Sequence, residues 1–227
     1  MKRLFALGVV GLILLEAANV YFIMPLPGSQ RIRSIDTAYL IYQWRWPLRT
    51  LLGGLGLLGA AAIWRTGTRT WLVPVGVLAA GAVSYVVNFR MAADHMFLAP
   101  RLVAMEPAAR NQVALDRLVV GVEVAGQARA YPLQFIGYHH QVRDTVAGQD
   151  LLVTYCMVCR TGRVFRPTVN GHLEAFRLVG MDHFNAMFED RTTGSWWRQA
   201  SPSPGPTPPA ASPWSVIRSG GLRAVTP

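Results

Sequence analysis

Three long apolar runs fill the first ninety residues of this 227-residue chain and constrain its fold more than any other feature. Leu4 to Met24 is apolar except for Glu16 and Asn19, follows Lys2-Arg3 and stops at Pro25. Leu48 to Trp64 is rich in Gly and Ala, with Arg49 near its start. Trp71 to Phe89 carries Pro74 in its first turn, where a missing N–H costs nothing. A bilayer needs about 20 apolar residues per helix, so these lengths predict transmembrane helices at about 4–24, 48–64 and 71–89. No small-x-small cleavage site follows the first run, which favours a retained helix over a cleaved signal peptide. Trp44, Trp46, Trp64 and Trp71 fall at the expected interfaces, as an aromatic belt would.

Composition agrees: 52% of residues are hydrophobic and 15% charged, against about 25% charged in an ordinary soluble domain. That hydrophobicity also excludes a disordered chain. The net charge is +10, yet the basic residues are scattered singly between apolar runs. Attraction to lipid headgroups is expected from them, and no nucleic-acid partner.

Basic residues do not decide the orientation. Lys2, Arg3, Arg65 and Arg69 balance Arg31, Arg33, Arg45 and Arg49. The first helix commonly dominates, so the N-terminus is expected inside and the C-terminal half outside the cytoplasm. Glu16 has no basic partner visible at similar depth, and a helix-packing carboxyl is the expectation for it. Arg49 is expected to snorkel toward the interface.

After a linker at about 91–111 the pattern changes to short β-type segments, and residues 112–199 predict a small, mostly antiparallel β domain. Leu118 to Val124 and Ala128 to Leu133 flank Ala125-Gly126-Gln127 as a hairpin. Leu151 to Tyr155 forms a compact strand. Val164 to Val169 and Leu173 to Val179 flank Asn170-Gly171, a strong hairpin signal. Ala186 to Phe188 and Ser195 to Trp197 flank a turn through Asp190 to Gly194. No long helical period suggests alternating β and α units. Phosphate-loop, dinucleotide-binding, zinc-protease and serine-elbow motifs are all absent.

The only two cysteines stand together as Cys156-Met157-Val158-Cys159, directly after a strand. A C-x-x-C pair can cycle between dithiol and disulfide, because one thiolate attacks and the other resolves. Cys156 is the expected nucleophile and Cys159 the resolver. Arg160, with Arg163 nearby, is expected to favour the thiolate. The chemistry would be that of a thiol-disulfide oxidoreductase needing no cofactor, its substrate a protein or small-molecule disulfide or a peroxide. Two alternatives stay open. One is a structural disulfide, which closes too short a loop to contribute much. The other is a zinc, copper or iron site, with Cys156 and Cys159 completed by histidines such as His140 or His183. A third class is a membrane protein whose β domain only binds a partner.

His139-His140 is expected on a strand, where neighbours face opposite sides and one at most reaches a site. His140 is the candidate base for Cys156. Asp182-His183 is either a carboxylate-imidazole pair or a polar turn. Trp196-Trp197 is expected to pack rather than bind.

Taken in order, these segments resemble a known family. They are Val119-Val120-Gly121-Val122, Ala128-Arg129-Ala130-Tyr131-Pro132-Leu133, His139 to Val146, Val153 to Arg160, and Phe188 to Gln199. The pattern resembles the bacterial domain-of-unknown-function 3179 family, often labelled "(seleno)protein". The resemblance covers roughly residues 112–199. The label implies that some members carry selenocysteine, which strengthens the redox reading at Cys156 and Cys159. Together with the helices, it implies an integral protein of the bacterial inner membrane.

The C-terminus departs from that pattern. Residues 200–227 hold seven of the 15 prolines, and no acid follows Asp190. A disordered Pro-rich tail is one expectation. A frameshift is the other: back-translated in the next frame, Ala200 to Pro206 can encode Glu-Pro-Ile-Ala-Gly-Pro, the continuation that the resemblance implies.

Overall fold

The computed structural model describes residues 2–32, 34–114 and 116–200. The expected Pro-rich tail therefore lies outside the described residues, apart from Ala200. The chain divides into two compact units, one ending at Met96 and the other opening at Phe97.

The first unit is helical. Helices α1 (Lys2–Tyr21), α2 (Ile35–Thr66) and α3 (Leu72–Tyr85) form in turn. A π-type turn, Val86–Arg90, extends α3, and the short α4 (Ala93–Met96) follows. All three long segments are apolar enough to span a membrane, with mean hydropathies of 2.0, 1.3 and 1.8. Small residues explain how α1 and α2 meet. A Cβ on Gly8 would lie 2.4 Å from the Gly56 nitrogen, and one on Gly59 would lie 2.3 Å from that of Phe5. Without a hydrophobic driving force in lipid, such close backbone approach supplies the packing between helices.

One boundary differs from expectation. Helix α2 does not begin at 48 but at Ile35, and it runs straight through Pro47. Proline forgoes a single backbone bond, and the flanking turns hold the helix across it.

The second unit is the expected antiparallel β domain. Strands β1 (Val119–Val124) and β2 (Gln127–Pro132) form a hairpin. Helix α5 (Leu133–His139) follows. Then come β3 (Gln141–Val146), β4 (Gln149–Cys156) and β5 (Thr161–Phe165), which pair in chain order. A small hairpin, β6 (Thr168–Val169) and β7 (His172–Leu173), turns at Asn170-Gly171. Strands β8 (Phe176–Asp182), β9 (Asn185–Asp190) and β10 (Trp196–Arg198) form the last sheet.

Three expectations are corrected here. Val164 to Val169 is not one strand, because Pro167 offers no N–H and separates β5 from β6. Leu173 to Val179 is likewise split, because the Glu174 N–H bonds to the Pro167 carbonyl before β8 begins. His139 and His140 are not on a strand: His139 ends α5, and His140 caps it with φ 63°.

Strand β4 is central and buried on both faces. Alternation sends Leu151, Val153 and Tyr155 into an apolar core with Val120, Val122, Tyr131, Ile136, Val142 and Val164. Thr154 and Cys156 therefore point to the opposite face, toward β8, β9 and β10. Hydrogen bonds confirm this: Gln199 Nε2 donates to Thr154 Oγ1 at 2.9 Å and to the Thr161 carbonyl at 2.9 Å.

Candidate functional site

Cys156 is the last residue of β4, and the β4–β5 connection carries Met157, Val158 and Cys159 round to Thr161. Arg160 takes a left-handed φ of 50° within that turn. Cys156 is fully buried, whereas Cys159 is partly exposed, and both are free. The Cys159 backbone N–H points at Cys156 Sγ across 3.5 Å. The Cys156 thiol donates to the Phe184 carbonyl at 3.6 Å. Met157 and Val158 between the cysteines are about half exposed.

The carbonyl facing Cys156 comes from an unusual turn. Four two-residue turns in this unit have both central residues at positive φ: Ala125-Gly126, Ala147-Gly148, Asn170-Gly171 and His183-Phe184. This geometry suits the twist of a hairpin and favours glycine at the second position. The first three obey. The β8–β9 turn instead puts Phe184 there, at φ 62°. A bulky residue in that region stores strain, of the kind that concentrates at functional sites.

Burial pushes the Cys156 thiol above its ordinary pKa, and the Cys159 side chain adds to the rise. The Cys159 and Ala186 backbone N–H groups pull the other way without reversing it. Neither Arg160 nor Arg163 contributes, because both are exposed. Loss of water at the sulfur is the largest influence on the Cys156 thiol, and Arg160 is not among the groups that shift it.

Among the described residues, no hydrogen bond joins the His140 ring to the Cys156 thiol. The His140 ring is buried with Nδ1 donating to the Tyr138 carbonyl at 3.3 Å, and it lies 4.5 Å from the Phe97 ring. Burial lowers its pKa. Its backbone carbonyl, not its ring, reaches the cysteine strand, by accepting from the Tyr155 N–H at 3.0 Å. His139 is outside, with Nδ1 donating to the Leu98 carbonyl at 2.5 Å. Phe97 and Leu98, expected in the linker, therefore lie against α5.

His183 sits in the strained turn, one residue from the carbonyl that holds Cys156. Its Nδ1 donates to Asp182 Oδ1 at 2.8 Å, and Arg198 Nε pairs with Asp182 Oδ2 at 2.5 Å. Of the two readings for Asp182-His183, the carboxylate-imidazole pair forms, and it forms on a turn. Among the described residues, no group of three or more His, Cys, Asp or Glu gathers at metal-binding range. Cys156, Cys159, His140 and His183 do not make one ligand set.

Sequence reasoning missed Gln199 and the role of Asp190. Gln199 is buried and ties the end of β10 to Thr154 and Thr161, flanking the cysteine turn. Asp190 is fully buried and accepts from Thr193 N and Oγ1 at 2.5 and 2.6 Å, Ser195 N at 3.1 Å and Trp197 Nε1 at 2.9 Å. Trp196 Nε1 donates to Glu189 Oε2 at 2.9 Å. Both indoles are buried in the structure rather than presented as a platform.

The helical unit holds a second polar centre. Glu16 is 2% exposed, and Arg49 grips it with two bonds, Nε to Oε1 at 2.6 Å and Nη2 to Oε2 at 2.8 Å. Asn88, on the π-type turn, accepts from Arg49 Nη2 at 2.8 Å and donates to Glu16 Oε2 at 3.0 Å. The expectation that Glu16 lacks a basic partner is overturned, and Arg49 does not snorkel. With α2 starting at Ile35, Arg49 lies well inside a helix rather than at its mouth.

Fold and sites together define a class: three helices able to cross a membrane, then a small antiparallel β domain with a cysteine pair where its central strand turns. Residues 98–203 match the model of a family described as "Protein of unknown function (DUF3179)". Over those residues the chain is similar to that family. No curated protein and no solved structure matches it.

Proposed function

We propose that this is a membrane-anchored protein that performs thiol-disulfide exchange through Cys156 and Cys159. The observation that carries the reading is the 3.5 Å approach of the Cys159 backbone N–H to Cys156 Sγ across a two-residue turn, which keeps the sulfurs local to one another. The strained His183-Phe184 turn beside them supports it, since strain persists where surroundings hold a site in place. The partners are the lipid bilayer and a protein or small-molecule disulfide. The β domain lies outside the cytoplasm, anchored in a bacterial inner membrane, and that compartment permits disulfide chemistry. A reporter fused after the β domain reads this orientation, and a cytoplasmic signal overturns it.

The test of exchange is a redox titration of the full chain in detergent, read by differential alkylation and mass spectrometry. A reversible couple well above about −300 mV is expected, since structural disulfides lie below that. A pair that stays oxidised throughout, or never oxidises, overturns the reading.

A further inference from the structure

We infer that the roles of the two cysteines run against chain order: Cys159 attacks the substrate disulfide, and Cys156 closes the reaction from inside. This rests on the exchange reading above and assigns the chemistry within it.

The argument is one of access. A disulfide exchanges when a thiolate meets the substrate sulfur in line, so the attacking thiol must reach solvent. Cys156 cannot do this as it stands. It is 0% exposed, on the inner face of β4, and its S–H is held by the Phe184 carbonyl. Cys159 lies three residues further round the turn, beyond the half-exposed Met157 and Val158, and keeps part of its surface open. A resolving thiol has the opposite requirement. It needs to reach only its partner sulfur and to stay quiet until then. Burial keeps Cys156 protonated, and a carbonyl acceptor suits the thiol rather than the thiolate.

The steps balance as follows. The Cys159 thiolate attacks one sulfur of a substrate disulfide, and the substrate S–S bond breaks. The released substrate thiolate takes a proton, and a mixed disulfide remains on Cys159. Cys156 then attacks Cys159 Sγ, and its proton passes to the departing substrate sulfur. The mixed disulfide breaks, the second substrate thiol leaves, and Cys156 is joined to Cys159. The substrate gains two electrons and the cysteine pair loses two. A dithiol donor reverses the sequence and resets the pair.

Substrates are disulfides exposed at a surface, either small molecules or polypeptides. The test uses the full-length protein in detergent, reduced and exposed to a biotin-tagged glutathione disulfide or a biotin-tagged polypeptide disulfide. Cys156→Ala is expected to accumulate a stable mixed disulfide on Cys159, at least ten times faster than Cys159→Ala captures one on Cys156. The probe that labels faster identifies the substrate source. Trapping mainly on Cys156 overturns the assignment but leaves exchange standing. No trapping in either folded variant, together with a wild type that never forms the Cys156–Cys159 bond, overturns exchange itself. The wild-type chain gives a second readout that needs no variant. Under limiting iodoacetamide, peptide mapping is expected to show Cys159 modified at least ten times faster than Cys156. Equal or inverted rates overturn the assignment.

Discussion

Each half of the molecule is organised round a buried carboxylate, and the two are served in opposite ways. Glu16 draws its partners from far along the chain. Arg49 is 33 residues away and Asn88 is 72, each on a different helix. The Asp190 carboxylate draws its four described hydrogen bonds from residues 193 to 197, within its own turn and the strand that follows. The contrast follows from the solvent. In hydrocarbon each helix satisfies its own backbone N–H groups, so the Glu16 carboxylate takes its donors from side chains on other helices. In the β domain the turn leaves backbone N–H groups free, and a carboxylate nearby can collect them. The first arrangement holds helices together, and the second folds one hairpin.

That contrast can be broken by substitution. The largest effect is expected for Asp190→Ala, which strands several buried donors and leaves Trp197 without its acceptor. A loss of about 3–5 kcal/mol is expected in the β domain, from donors costing about 1–3 kcal/mol each with partial relief by water. Tryptophan emission during denaturant unfolding checks it, and a loss under about 1 kcal/mol would show that the turn holds itself. Glu16→Ala comes next. It leaves the Arg49 charge uncompensated, at a cost of about 3 kcal/mol. Pairing it with Arg49→Leu is expected to recover most of that loss in a thermal assay in detergent micelles. A double variant as unstable as the single one would mean that the ion pair does not bridge α1 and α2.

Smaller changes sharpen the comparison inside the β domain. Phe184→Gly removes a bulky side chain from positive φ. It is expected to stabilise the domain by about 1 kcal/mol, because strain relief exceeds the added chain entropy. It is also expected to speed alkylation of Cys156, whose acceptor carbonyl loosens. Unchanged alkylation would separate the turn from the thiol. The smallest effect concerns acid. Burial lowers the pKa of His140 below that of the unfolded chain. Its contribution is therefore fully present above about pH 6.5 and is lost as pH falls from there toward the folded value. His140→Asn tolerates the same φ and does not titrate, so it is expected to flatten that slope. An identical slope in the variant would assign the acid response to other groups.

The sequence was most legible where the signal is local. Apolar runs announced the three helices, and short turn segments such as Asn170-Gly171 announced hairpins, because both depend on residues near in the chain. Pro47 hid the true start of α2, since a proline inside a helix reads as a boundary although this helix crosses it. That misplacement put Arg49 at an interface and concealed its pairing with Glu16. At the candidate site the cysteine pair was visible, but its burial was not. Period-two alternation on β4 alone cannot say that both faces are covered. His140 looked like a base because its type and position allowed it. The α5 cap that turns its ring toward Phe97 is a tertiary result. The polar residues at Asp182-His183 allowed a turn there, but without a glycine nothing marked the positive φ of Phe184.

The length of α2 has a further consequence. Its 32 residues rise about 48 Å at 1.5 Å each, against about 30 Å of hydrocarbon, whereas the 20 residues of α1 rise about 30 Å. The surplus falls in the stretch before Pro47, where Tyr42, Trp44, Arg45 and Trp46 cluster. One helix thus matches the average bilayer while its neighbour overshoots it. Tilt could absorb only part of the difference while α1 is packed closely against α2. In a helix that crosses a bilayer of that thickness, the remainder would extend past the hydrocarbon with its aromatic side chains. Such a helix registers bilayer thickness, and thicker membranes would bury more of that extension.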